Sequence, residues 1–248
     1  MDGEGRFSGR VAIVTGGSRG IGAEVARRLG AEGATVAVAY RSDLASAECI
    51  VGALKNAGAK AAAFQVDVAS PEDCEALVRA CISSFGRLDI LVNAAGVAQY
   101  LPLEDADAIH YRAMFDTNVL GALSLTRAAV PIMTNPGRII HVSSRLAEAP
   151  FAGTSIYAAS KAAVSALTLA LAQELGPKGI TINAVAPGLI ETDMTKAAIE
   201  ARGAALSAQT PLRRIGQPGD VGGVVAFLAS DDAGWITGRT IRVDGGLL

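Results

Sequence analysis

Short runs of β-branched and apolar residues alternate with longer helical segments along the whole of this 248-residue chain, and that alternation constrains its fold more than any other feature. Val11–Thr15, Thr35–Tyr40, Lys60–Val66, Ile90–Asn93, Arg138–Val142, Thr181–Ala186 and Thr240–Val243 read as strands. Several are continuous apolar runs, as expected where helices cover both faces of a parallel sheet. Ile21–Ala31, Leu44–Ala57, Pro71–Phe85, Ile109–Ile132, Tyr157–Leu175 and Pro218–Ala229 read as helices between them. Gly30–Gly33, Asn56–Gly58, Asn135–Gly137 and Gly176–Gly179 fall where a helix must stop and turn back, and Ser70-Pro71-Glu72-Asp73 is a helix start. The pattern predicts an α/β fold, a single Rossmann-type doubly wound parallel sheet of about seven strands with right-handed crossovers. No linker or repeat divides it, so one domain is expected over residues 1–248.

Two connections break the rhythm. Val97–Ala108 follows the fourth strand, and Gly188–Leu212 follows the sixth and carries a weak helix at Thr195–Ala205. Both leave the carboxyl end of a strand, where open α/β sheets bind ligands, so the second is expected to be a lid over a pocket.

Composition narrows the function. Half of the residues are apolar and 19% are charged, which suits a large core and argues against disorder. The net charge of −2 and the lack of any Lys or Arg run make nucleic acid an unexpected partner. Met1–Arg10 is polar and glycine-rich, unlike a signal or transit peptide, and the longest apolar stretch, Ala162–Ala172, is far short of the ~20 residues that span a bilayer. Cys49, Cys74 and Cys81 form no CxxC and have no His at ligand spacing, so a reducing, cytoplasmic setting without a metal is expected. His110, on a helix, and His141, in a strand, are expected to be structural.

The first strand runs into Thr15-Gly16-Gly17-Ser18-Arg19-Gly20-Ile21-Gly22 and then the first helix. Glycines there permit a tight turn and close approach of the backbone to a pyrophosphate resting on the helix N-terminus, so Gly16, Ser18, Arg19, Gly20, Ile21 and Gly22 are candidate cofactor contacts. At the end of the second strand a site for NAD places an acid, whereas an Arg accommodates a 2′-phosphate. This chain reads Tyr40-Arg41-Ser42, with no acid until Asp43, and Arg19 offers a second cation, so NADP(H) is the expected cofactor. Asp67-Val68 can cap an adenine edge, and Asn93-Ala94-Ala95-Gly96 offers small residues against the ribose.

Tyr157 and Lys161 stand at i and i+4, on one helix face. An ammonium about 4 Å from the phenol, at an effective dielectric of about 20, would favour the phenolate by up to ~4 kcal/mol, or about three pKa units. That would bring a tyrosine into range as a proton donor or acceptor.

Together these motifs, from Thr15–Gly22 through Asp67-Val68, Asn93–Gly96, Asn118, Ser144 and Tyr157-x-x-x-Lys161 to Pro187–Thr192, resemble the short-chain dehydrogenase/reductase family over nearly the whole chain. Ile190–Met194, Phe227–Ser230 and Ile236–Gly238 look most like its NADPH-dependent 3-oxoacyl-[acyl-carrier-protein] reductases and related carbonyl reductases. The resemblance implies that Tyr157 is general acid, that Lys161 lowers its pKa and holds the nicotinamide ribose, and that Ser144 polarises the carbonyl. It further implies that Asn118 holds a water relaying protons to Lys161, and that Pro187, Gly188, Ile190 and Thr192 contact the nicotinamide half. A homotetramer is expected, since Ala162–Ala172 is apolar almost all round and Ile241–Leu248 ends in apolar residues. The substrate is expected to be a small carbonyl compound, with acyl carrier protein a second expected partner. The turn Pro131–Gly137 lacks the basic residues that dock that protein, leaving Lys178 and Arg138 as partial replacements. Arg145, beside Ser144, would point outward or meet an anionic substrate group. A regulator that kept the fold without the chemistry would be expected to have lost Ser144, Tyr157 or Lys161, and all three are present. Reduction of free ketones, sugars or steroid-like alcohols is the alternative reading.

Overall fold

A computed structural model describes residues 5–247. Seven strands, β1 (Val11–Thr15), β2 (Thr35–Tyr40), β3 (Ala61–Gln65), β4 (Ile90–Asn93), β5 (Gly137–Val142), β6 (Ile180–Pro187) and β7 (Thr240–Val243), form one sheet in the order β3-β2-β1-β4-β5-β6-β7. Every pairing is parallel. Successive residues of a strand face opposite ways, so Ala12 and Val14 of β1 enter one core while Val11 and Ile13 enter the other. The first core is closed by α1 (Gly20–Ala31), α2 (Leu44–Asn56) and α8 (Pro218–Ala229), through Leu29, Leu54 and Leu228. The second is closed by α3 (Pro71–Phe85), α5 (Gly121–Ala129) and α6 (Ser155–Leu175), through Leu77, Leu125 and Leu175. Strand order reverses between β1 and β4, which opens a crevice at their carboxyl ends.

Caps fix the helix starts. Asp43 accepts from Ser46 N at the head of α2, and Ser70 accepts from Asp73 N at the head of α3, with Pro71 in its first turn.

The expected helix Ile109–Ile132 is three segments instead: α4 (Ala108–Phe115), a π turn (Asp116–Leu120) and α5. The apolar spacing hid the break because a π turn widens the ladder without reversing the chain. The lid helix, α7, runs over Lys196–Gln209. The long α6 is apolar and long enough, by length and composition alone, to cross a membrane, yet it packs against β6 with Ser160, Lys161 and Thr168 buried. It is a core helix of the sheet layer.

Candidate active site

Glycines build the floor of the crevice. Gly16 holds a φ of +63°, and a Cβ there would stand 3.0 Å from the Ala95 backbone, so only glycine lets the β1 turn lie against the β4 turn. Thr15, which sequence reasoning left out of the site, locks the same junction: its hydroxyl accepts from Ala94 N and Ala95 N, each at 3.1 Å. Ser18, Arg19 and Gly20 form one bank of a cleft of about 540 Å³, and Glu191, Thr192 and Asp193 form the other. Arg19 Nη1 stands 3.9 Å from Asp193 Oδ2 across it. Gly22 and Ile21 begin α1 under the turn. A pyrophosphate fits this glycine cradle and helix N-terminus.

At the end of β2, Tyr40 is buried while Arg41 and Ser42 are exposed, so their polar groups are presented at the edge. Asp43 is committed elsewhere: its carboxylate accepts from Ser46 N and Oγ, and those bonds hold its pKa below the usual range. The nearest acid is thus spent on a helix cap. Asp67 is exposed and accepts from Ala69 N, whereas Val68 is buried against Gly121.

Asn93 departs from expectation. Its side chain points into the core, where Nδ2 donates to Thr126 Oγ1 at 3.3 Å, leaving Ala94, Ala95 and Gly96 to line the crevice. Thr126 meets His141 Nε2 at 3.3 Å, His141 Nδ1 meets Thr168 Oγ1 at 3.0 Å, and Thr168 donates to Val164 O. The proton directions follow from the end: Thr168 spends its proton on Val164, so it accepts from His141 Nδ1–H. Nε2 is then the acceptor from Thr126. This buried chain ties β4, α5, β5 and α6 together around a neutral imidazole, which burial and the nearby Lys161 charge push down to about 4.

The carboxyl ends of β5 and the head of α6 bring the reactive groups together. Ser144 caps a short 3₁₀ turn (Arg145–Ala147), and its hydroxyl lies beside the Tyr157 phenol, favouring the ionised phenol. Lys161 Nζ donates to Val142 O at 2.9 Å and lies 5.9 Å from the Tyr157 ring centre. Ser143, unremarked in the sequence, anchors the next turn by donating to Lys161 O at 2.9 Å. A Cβ on Gly96 would stand 3.2 Å from both Lys161 Nζ and Asn118 Oδ1, so glycine keeps that wall open.

The phenol and the lysine differ from the expected pair in one respect. The phenol's pKa is not lowered overall in this arrangement. Burial and the Tyr100 hydroxyl push Tyr157 up to about 12, and burial pushes Lys161 down to about 8. Desolvation of both partners outweighs the attraction that a 4 Å separation in a more polar medium would give. Asn118 lies in the π turn, and its side-chain amide is committed: Oδ1 accepts from Val97 N at 2.9 Å, and Nδ2 donates to Val97 O and Ser160 Oγ, each at 3.0 Å. It acts as a strut between the β4 loop and α6. Beside it, Thr15, Asn93 and Thr117 help line a hollow of about 10 Å³, room for about one water molecule.

Pro187 ends β6, Gly188 packs against Asp244, and Ile190 is buried at the base of the lid. Thr192 lies over Gly20 and bonds Thr195. Arg145 makes one long bond, to Ala149 O at 3.5 Å. Arg138 is not a surface cation. It is buried at the start of β5, donating to Ser230 O and pairing with Asp231 at 3.2 Å.

A family model described as enoyl-(acyl carrier protein) reductase matches residues 16–248. The chain belongs to the short-chain dehydrogenase/reductase family. Its relatives include an uncharacterized oxidoreductase of Methylorubrum extorquens, 45% identical over 98% of this chain and 99% of the relative. A 3-oxoacyl-[acyl-carrier-protein] reductase of Staphylococcus aureus is 41% identical over 95% of this chain and 97% of its own. A short-chain dehydrogenase from Burkholderia cenocepacia, solved in complex with NADP, superposes with a TM-score of 0.93 at 39% identity, covering 98% of this chain and 99% of that one. As a short-chain dehydrogenase/reductase the protein is an oxidoreductase, and its glycine cradle suits a nicotinamide cofactor.

Proposed function

We propose that this short-chain dehydrogenase/reductase uses NADPH to reduce a ketone, a 3-oxoacyl thioester, β-keto ester or similar carbonyl compound, to a secondary alcohol. The observation that carries the reading is that Ser144, Tyr157 and Lys161 are buried together at the inner end of the crevice, with the Lys161 ammonium 5.9 Å from the Tyr157 ring centre. Exposed Arg41 and Ser42, with Asp43 withdrawn into a cap, favour the 2′-phosphate of NADP(H) over the free ribose of NAD(H).

When bound, the nicotinamide would supply the hydride. Gly16, Ser18, Arg19, Gly20, Ile21 and Gly22 would hold the pyrophosphate, and Tyr40, Arg41, Ser42, Asp67 and Val68 the adenosine end. Ala94, Ala95, Gly96, Lys161, Pro187, Gly188, Ile190 and Thr192 would flank the nicotinamide half. Ser144 donates a hydrogen bond to the carbonyl oxygen as negative charge develops there. Tyr157, kept neutral by burial, gives that oxygen its proton, and Lys161 stabilises the phenolate left behind. Below about pH 8 the lysine is charged and the phenol protonated, the pair of states that reduction requires.

The substrate reading leans towards small free carbonyl compounds. The turn Pro131–Gly137 and Lys178 lie at the amino ends of β5 and β6, opposite the site, and Arg138 is held by Asp231. We therefore propose that acyl carrier protein adds little to turnover. Three free cysteines support a reducing, cytoplasmic setting. A homotetramer is proposed because α6 leaves Ala166, Leu169 and Ala170 exposed, and Trp235 is wholly exposed. The C-terminal tail contributes less than expected, since Ile241, Val243 and Leu247 are half-buried, and Leu248 lies outside the described residues.

Oxidation of NADPH and of NADH by an acetoacetyl thioester, β-keto esters and aryl ketones tests the reading, with one acyl chain offered both on carrier protein and on a short thioester. Turnover with NADPH of at least one class is expected, with a carrier-protein advantage below about a hundredfold. No turnover of any carbonyl with either cofactor would overturn the reading.

A further inference from the structure

Beside the buried Tyr157 two aromatic rings stay half in solvent, Tyr100 at 48% and Phe151 at 51% exposure. They are not isolated surface residues. Tyr100 meets Phe151 edge to face, with centroids 5.8 Å apart at 81°, and meets Tyr157 at 5.6 Å and 65°. The three rings form one continuous wall running from the proton donor out to the pocket mouth.

Buried polar groups hold that wall in place. Under Tyr100, His110 is 6% exposed, and its Nε2–H donates to Gln99 O at 3.0 Å. Its Nδ1 has no partner among the described residues. Leaving a buried nitrogen unpaired costs free energy, and what it secures is the backbone next to Tyr100. Under Phe151, the Thr154 hydroxyl, fully buried, accepts from Phe151 N at 3.1 Å and donates to Phe151 O at 2.6 Å. Leu101 N donates to Gly153 O at 3.0 Å and joins the two loops. A loop whose aromatic rings served only packing would bury them. Here the backbones are clamped and the rings are left open.

We propose that Tyr100 and Phe151 form a subsite for the aryl group of a conjugated ketone, so that this enzyme prefers aryl ketones to saturated ketones of the same size. The inference rests on the reading that Tyr157 protonates a carbonyl. The aryl ring meets two π-systems through edge-to-face or offset contacts, which a saturated ring of equal area cannot make. The pre-set loops spare the ordering cost that a mobile aromatic wall would incur on binding. The plane of the aryl group continues into its carbonyl, which directs the oxygen towards Ser144 and Tyr157 at the inner end of the wall.

The test compares acetophenone with cyclohexyl methyl ketone in the wild-type protein and in the variant Tyr100→Leu/Phe151→Leu, which keeps the wall apolar and removes the rings. Intrinsic reactivity differs between the two ketones but cancels when the aryl-to-saturated ratio of kcat/KM is compared between proteins. The same ratio is measured for binding, by ligand-observed NMR with NADP present. The ratio should fall about tenfold in the variant, the scale of one to two aromatic pairs. A fall of less than threefold in the binding ratio overturns the aryl subsite, whether or not turnover occurs. If neither ketone is reduced but the binding ratio still falls tenfold, the subsite stands, and the reductase reading fails only when the thioester and β-keto esters are not reduced either.

Discussion

Arg41 and Asp43, two residues apart at the end of β2, show how one neighbour can decide what another recognises. Asp43 carries the charge that would hold a free ribose, but Ser46 draws it into the cap of α2. Arg41 is left as the group that meets whatever lies beyond Tyr40. Replacing Arg41 with Asp would put a carboxylate at the proposed 2′-phosphate position and remove a charged hydrogen bond worth about 1.5–3 kcal/mol. The ratio of kcat/KM for NADPH to that for NADH should drop by about ten- to hundredfold, and an unchanged ratio would refute the role given to Arg41. The motif residues Gly16, Ser144, Tyr157 and Lys161 were legible in the sequence because their spacing fixes where they fall. The electrostatics between them were not. Whether Lys161 lowers the phenol depends on how far each is desolvated, and burial sets both shifts here.

At the scale of elements, the strands and most helices could be read from apolar periodicity, while the breaks in them could not. Nothing in the spacing of Ile109–Ile132 marks the π turn, although an Asn in mid-helix hinted that Asn118 had work to do. The chain from Asn93 through Thr126 and His141 to Thr168 was equally hidden, because its members sit on four elements far apart in sequence. It makes a prediction about pH. His141 titrates near 4 in the folded protein and near ~6.5 when unfolded, so between these values the unfolded chain binds more protons. Its contribution to stability is complete above about pH 6.5 and is lost as pH falls towards 4. Asp220 and Asp231, held below the usual carboxylate range by Arg214 and Arg10, lose theirs only at lower pH. The Tm should therefore decline across this window, and the His141→Asn variant, though less stable overall, should decline less steeply. Parallel Tm curves for the two proteins would contradict the neutral imidazole.

For the molecule as a whole, sheet order places every reactive group at one edge. Tyr157, Ser144 and the glycine turn come together because β1, β4 and β5 are neighbours and all point the same way. The apolar face left open on α6 belongs to this scale too. Leu169, at 55% exposure, is left largely uncovered by the described residues, so light scattering should report the proposed tetramer, and a stable monomer at micromolar concentration would contradict that assembly. The central claim is that the Tyr157 hydroxyl delivers the proton that turns a ketone into an alcohol. Its most direct measurement is NADPH oxidation by the Tyr157→Phe variant with a ketone that the wild-type protein reduces, alongside NADPH binding by the same variant. Turnover should fall by at least about a hundredfold, within the range of general acid catalysis, with binding nearly unchanged. Turnover above about a hundredth of wild type, with binding intact, would show that the proton comes from elsewhere.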